Sequence, residues 1–180
     1  SNEGEVLPWG VEIESKDEEN SFVDHIEVDS GTVYFSGVFD SVGGQNRTNI
    51  AAININGELN NWGPILSNTP SSNGTIYTSI YDFAVANHTI YLCGAFNSVD
   101  GVGVIRHGFA AISVDGVFSD FIPYSDGRVF DIETDNNRIY MYGRFSFPEQ
   151  KFINGIAAFS FEGRGSIFND EISLALSVLF

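Results

Sequence analysis

Three histidines, one cysteine and a run of acids are the side chains in this sequence with the chemistry for catalysis or metal binding. His25, His88 and His107 fall in separate expected elements with no ligand spacing between them. Gly-x-Ser-x-Gly, His-Glu-x-x-His and phosphate-loop patterns do not occur. A single cysteine, Cys93, excludes an intrachain disulfide and the zinc patterns built on several cysteines. It sits inside an expected strand, where a thiol packs as a small, inert apolar group. Asp17-Glu18-Glu19 reads as a solvated acidic loop, because it lacks the alternating oxygen ligands and central glycine of a calcium loop. A hydrolase built on paired carboxylates needs a fixed separation across a pocket, and no spacing here defines one. The expectation is a protein that is not an enzyme, with no cofactor and no metal centre.

Two other residue sets have chemistry without catalysis. Asn46-Arg47-Thr48, Asn73-Gly74-Thr75 and Asn87-His88-Thr89 are glycosylation sequons, so Asn46, Asn73 and Asn87 are the candidate glycan sites. Chance alone supplies roughly two such triplets at this Asn, Ser and Thr content. Their placement is the better signal, since all three fall in expected loops that can carry a bulky glycan. Tyr77, Tyr81 and Tyr124 have the amphipathic rings that stack on sugars, which gives a carbohydrate-binding alternative. Packing between repeats is the plainer use of the same rings.

Composition sets the elements that must position these residues. The 180 residues are 43% hydrophobic, 14% aromatic and 18% charged, which is the make-up of a folded, β-rich globule. Eight Lys and Arg against 24 Asp and Glu leave a formal charge of −16. That charge repels a phosphate backbone, so nucleic acid is excluded as a partner. No run of about 18 apolar residues is present, so this segment does not insert in a membrane. The first residues lack the basic and apolar regions of a signal peptide.

The sequence repeats. Thr32 to Phe39, Thr89 to Phe96 and Arg138 to Phe145 each carry a tyrosine, a glycine three residues on and a phenylalanine two further. Ala51-Ala52, Ala110-Ala111 and Ala157-Ala158 follow the tyrosines by 17, 19 and 17 residues. Gly57, Gly116 and Gly163 come six residues after the first alanine, and Trp62, Phe121 and Phe168 five after each glycine. Asp24, Asp82 and Asp131 precede the tyrosines by 10, 9 and 9 residues. Periods of 57 and 49 residues, each with about four strands, suit β-propeller blades. In the first repeat the strands are expected near His25 to Val28, Val33 to Phe39, Ile50 to Asn54 and Glu58 to Ile65. The alanine pairs allow close approach of backbones, the Trp or Phe fills space between blades, and the repeated glycines serve turns or bulges.

The repeats divide the chain into 21–66, 75–125 and 126–171, with fragments at both ends. Gly4 to Gly10 matches Gly57 to Gly63, so residues 1–13 read as the last strand of a preceding blade, with Trp9 in the slot of Trp62. Residues 172–180 read as the first strand of a following blade. Trp9, Trp62, Phe121, Phe168, Leu174, Leu176, Leu179 and Phe180 are therefore the candidates for packing between blades and for assembly. The partners expected are further blades of the same chain or neighbouring subunits, because open blade edges and faces invite association.

The first repeat, with Val33-Tyr34, Gly37, Phe39, Ser41-Val42-Gly43-Gly44, Asn49-Ile50-Ala51-Ala52-Ile53, Gly57, Trp62 and Pro64, resembles the bacterial delta-60-type β-propeller repeat. The second repeat replaces the tryptophan with Phe121, and the third has Phe147-Pro148-Glu149 where the double glycine belongs. The chain is also similar to the propeller region of fungal Rax-type cortical markers. The resemblance implies an all-β fold of four-stranded antiparallel blades and an extracellular or cell-surface location. It implies no catalytic residues.

Overall fold

The computed structural model describes residues 9–16, 20–68, 78–99, 108–119, 128–135, 137–145 and 153–161. These residues are all-β. The strands are β1 (Ile13–Glu14), β2 (Phe22–Asp29), β3 (Thr32–Val38), β4 (Ser41–Val42), β5 (Gln45–Asn46), β6 (Ile50–Asn54), β7 (Leu66–Ser67), β8 (Ser79–Ala86), β9 (Thr89–Ala95), β10 (Ser98–Val99), β11 (Phe109–Ser113), β12 (Arg128–Thr134), β13 (Arg138–Phe145) and β14 (Ile153–Ser160). No helix among the described residues is long and apolar enough to cross a membrane.

The long strands are rich in β-branched and aromatic residues, which fit a pleated and half-buried surface. Two-residue turns join the first pairs. Ser30-Gly31 and Asn87-His88 have positive φ at both positions, 48° and 80° then 49° and 59°. Turns of that hand match the right-handed twist of the strands they connect. β12 turns into β13 around Asp135, whose Oδ1 accepts the amides of Asn137 and Arg138 at 2.7 Å each. Those bonds, with a third from the Tyr140 hydroxyl, hold its carboxyl below the usual range.

The chain divides into two compact units, Ser1–Gly63 and Pro64–Phe180. The first holds an antiparallel sheet in the order β2-β3-β6 and a small sheet β1-β4-β5. The second holds β8-β9-β11, β12-β13-β14 and the pair β7-β10. The three large sheets, first, second and third in chain order, are the three repeats. Tyr34, Tyr91 and Tyr140 pair with Ala52, Ala111 and Ala158 in equivalent registers.

In the first repeat the expected fourth strand, Glu58 to Ile65, is a correction: among the described residues it is only a stub, and a like stub stands in the second repeat, while the corresponding segment of the third lies outside the described residues. Leu59 bridges Ile53 and Phe118 bridges Ile112, each flanked by two backbone hydrogen bonds of 2.8–2.9 Å. The chain returns through Gly57 or Gly116, both at φ 82°, a left-handed conformation that costs a residue with a Cβ. Asn54 Oδ1 braces the first of these turns and Ser113 Oγ the second. Beyond the stub, the chain leaves its own sheet. Leu66, four residues after Trp62, pairs with Val99 of the next repeat, and Ile13, four after Trp9, pairs with Val42. By pairing, Ile13–Glu14 and Leu66–Ser67, each a few residues after a Trp-Gly, belong with the following repeat. Residues 9–12 form no strand. The expected strand at 172–180 lies outside the described residues.

The first strand of every sheet carries a bulge. One residue without a cross-strand partner, Asp24, Tyr81 or Phe130, interrupts the pairing with the second strand. Gly37, Gly94 and Gly143 lie immediately beside these bulges, and none has a positive φ. Their lack of a side chain is required by close approach. A Cβ on Gly94 would overlap the Ser79 carbonyl, as one on Gly37 would overlap Phe22 and one on Gly143 Arg128. We expect Gly94→Ala to cost about 2–3 kcal/mol of unfolding free energy, against about 1 kcal/mol for Gly116→Ala in its open turn. Urea denaturation midpoints of the two variants check this ranking.

Candidate functional site

Burial in the second unit comes from one sheet lying against the next. Val129, Ile132, Ile139, Met141, Ala157 and Phe159 of the third sheet form one cluster with Ala84, Tyr91, Cys93, Phe109 and Ala111 of the second. Phe161 closes over Tyr91 with ring centroids 5.8 Å apart. A polar bond ties the two sheets together beside this cluster. Asp82, itself buried, accepts the backbone N–H of Ile132 at 2.8 Å through Oδ2. Ile132 lies on an edge strand, so its outward amide has no strand to bond, and the carboxylate satisfies it.

This packing gives each sheet two distinct faces. The leading face is the one the third sheet turns to the second, and the trailing face is the one the second turns to the third. Pairing registers carry both definitions to the other repeats. On the first sheet the leading positions are Val23, Ile26, Val33, Phe35, Ala51 and Ile53. Phe35, Ala51 and Ile53 are buried beneath Val11, Ile13, Val33 and Leu59. Val23 and Ile26 are exposed, as is Val28 on the same side of β2. Ile26 is 59% exposed, where its counterpart Ile132 is 1%. The trailing face of the third sheet is open as well. Tyr142 and Ile156 stand where Cys93 and Phe109 stand in the second sheet. Ile156 is 71% exposed and Phe109 fully buried. These two open apolar faces are the candidate site.

Beside the second face lies an aromatic ledge. The bulged residues Tyr81 and Phe130 have centroids 6.2 Å apart, and Phe130 and Tyr142 6.0 Å. All three are exposed. Phe130, Tyr142, Gly143, Arg144 and Gly155 line a shallow cavity of about 240 Å³.

The structure separates the candidate residues read from sequence. Trp62 is 8% exposed and packs edge-on against Tyr34, with centroids 5.1 Å apart and an interplanar angle of 87°. Trp9 shares the spacing of Trp62 but is 44% exposed, lying near Gly57. Asn46 is exposed on β5, and Asn87 is exposed in the β8–β9 turn at φ 49°. Asn73, Phe121, Phe168, Leu174, Leu176, Leu179 and Phe180 lie outside the described residues, as do Tyr77, Tyr124, His107 and the acidic run at 17–19. His25 Nε2 lies 3.6 Å from Glu27, and His88 is in an exposed turn. Among the described residues no three His, Cys, Asp or Glu side chains gather as a metal site.

The three repeated aspartates are not structurally equivalent. The bulge puts His25, not Asp24, in register with Asp82 and Asp131. Asp24 is the extra residue and accepts a bond from Ser36 Oγ at 2.9 Å. The spacing of 10 residues against 9 and 9 is the sequence signal of this offset. Comparison with protein-family models, curated proteins and solved structures finds no match for the chain.

Cys93 is buried at the centre of the cluster. Burial pushes its thiol well above the ordinary value of 9.0, and the carboxylate charges of Asp82 and Asp131 add to the rise. A folded-state pKa above the unfolded one stabilises fully below the ordinary value, and that stability is lost as pH climbs toward the raised one. Denaturation midpoints are therefore expected to hold level to about pH 8.5 and then to decline. Cys93→Ala should flatten the onset of that decline. A thiol reagent should label Cys93 only as fast as the chain opens.

Proposed function

We propose that this chain is a non-catalytic repeat protein of the extracellular or cell-surface space, whose sheets are β-propeller blades. It works as a scaffold for adhesion or assembly. The observation that carries the reading is the pair of open faces. Val23 and Ile26 on the leading side of the first sheet, and Tyr142 and Ile156 on the trailing side of the third, are exposed where their counterparts Val129, Ile132, Cys93 and Phe109 are buried between the third and second sheets. Fully burying one Ile or Val side chain contributes roughly 1.5–3 kcal/mol, and exposed apolar sheet faces of this kind mark interaction surfaces. The partners are further blades, from the same polypeptide or from neighbouring subunits. Glycans on Asn46 and Asn87 would project from exposed positions.

Hydrogen exchange read by mass spectrometry tests this at rising protein concentration. β2 and β14 should gain protection together, while β9, already central in its sheet, should not change. Exchange at β2 and β14 that stays the same at every concentration and in every partner mixture would remove the reading.

The aromatic ledge favours a second reading, a carbohydrate-binding protein. Three exposed rings in sequence with Arg144 beside them offer stacking surfaces and a donor fork. Binding on a glycan array that is abolished by Phe130→Ala would favour this reading over the scaffold.

A further inference from the structure

We propose that a second copy of this chain docks head to tail, the leading face of its first sheet lying on the trailing face of the third sheet. The carboxylate of Asp131 accepts the backbone N–H of Ile26 from the incoming copy. The inference rests on the scaffold reading above and gives that scaffold its partner and its polarity.

The second and third sheets supply the template. There Asp82 reaches across to the amide of Ile132 at 2.8 Å. Asp131 holds the position of Asp82, opposite Tyr142 as Asp82 is opposite Cys93, and it is exposed. Ile26 holds the position of Ile132. It lies opposite Phe35 as Ile132 lies opposite Met141, on an edge strand, so its amide points outward in the same way. Asp131 on the third sheet and the Ile26 amide on the first thus occupy the positions of the two halves of the bond that joins the second sheet to the third.

The apolar surfaces agree as well. In the second sheet the trailing face pairs the small Cys93 with the ring of Phe109, and in the third it pairs the ring of Tyr142 with Ile156. The ring has moved across the pair, and the volume offered to a neighbour is kept in approximate terms. Because the two faces differ, the contact is heterologous, and repeated addition gives a ring or a filament. Each copy carries −16, so association should strengthen as salt rises from about 0.01 M to 0.15 M.

Two variants at exposed positions decide the matter by analytical ultracentrifugation. Ile26→Asp blocks the leading face and Ile156→Asp the trailing face. Wild-type protein should associate with concentration, and each variant alone should remain a monomer. An equimolar mixture should form a 1:1 dimer, because each variant keeps the face that the other has lost. Asp131→Ala, placed in the Ile26→Asp chain, should weaken that dimer about tenfold or more, while Glu133→Ala should not.

A mixture that stays monomeric while wild type associates would overturn head-to-tail docking and leave the scaffold reading standing. A mixed dimer that Asp131→Ala does not weaken would overturn the proposed hydrogen bond. Wild type that stays monomeric at every concentration would overturn the docking, and unchanged exchange at both faces with every partner would remove the scaffold reading with it.

Discussion

A bulge in the first strand of each sheet, pressed against a glycine of the second, governs the shape of the sheets and the way they meet. The extra residue shifts the register of the strand by one position midway along its length, so the side chains before and after it reach their faces out of step. The backbone carbonyl of Phe22, Ser79 or Arg128 then occupies the space where a side chain on the second strand would be. Glycine is the residue that fits. Bulges also increase local twist, and twisted sheets stack at an angle that keeps their first strands close together. At that close point Asp82 meets the Ile132 amide. The bulge therefore shapes the sheet and also aims a polar contact between the second and third sheets.

That polar contact stands out because it is buried among apolar side chains. A carboxylate in such a place costs desolvation unless its partners are well placed. Its contribution lies more in fixing the position of one sheet along the next than in raw stability. Apolar faces built of Ile, Val, Phe and Ala can slide past one another with little penalty, whereas a carboxylate that must meet one amide has one satisfactory position.

Much of the fold is legible in the sequence. The spacing of tyrosine, glycine, alanine pair and turn glycine places the second and third strands of the first repeat to within a residue, and Ile50–Asn54 is a strand with the expected bounds. Local chemistry decides those elements, since β-branched runs bounded by turn residues have few alternatives. The bulge is less legible, because it recurs in every repeat and leaves no difference in spacing; the 10 residues from Asp24 to its tyrosine, against 9 and 9, mark only that Asp24 fills the bulge position held by Tyr81 and Phe130 in the other repeats. The fourth strand is where local pattern misleads. Glu58 to Ile65 has the composition of a strand, but the chain is drawn off after Trp62 to pair Leu66 with Val99, a contact between repeats that no local pattern records. Trp62 is buried, with its ring edge-on to Tyr34 of the same repeat. The open faces are legible only in outline, since exposure depends on what lies opposite.

Positions that agree across the three repeats build the sheets, and those that differ are where each sheet meets its own surroundings. The alanine pairs, the glycine beside the bulge and the central tyrosine recur because every sheet needs them. The bulged residue is Asp24, Tyr81 or Phe130, and the corresponding trailing-face position is Ser36, Cys93 or Tyr142. In the first sheet the bulged aspartate folds back on Ser36, which satisfies a hydroxyl that is 1% exposed. In the second and third the bulged residues are aromatic and turn outward to form a continuous ledge. A folded repeat would tolerate a polar residue at these outward positions, and burial of the core does not call for a ring there. Three rings in contact on an exposed surface are thus a feature the fold permits without requiring. The ledge and the trailing face it borders are therefore surface of the second unit that the packing of its core does not explain.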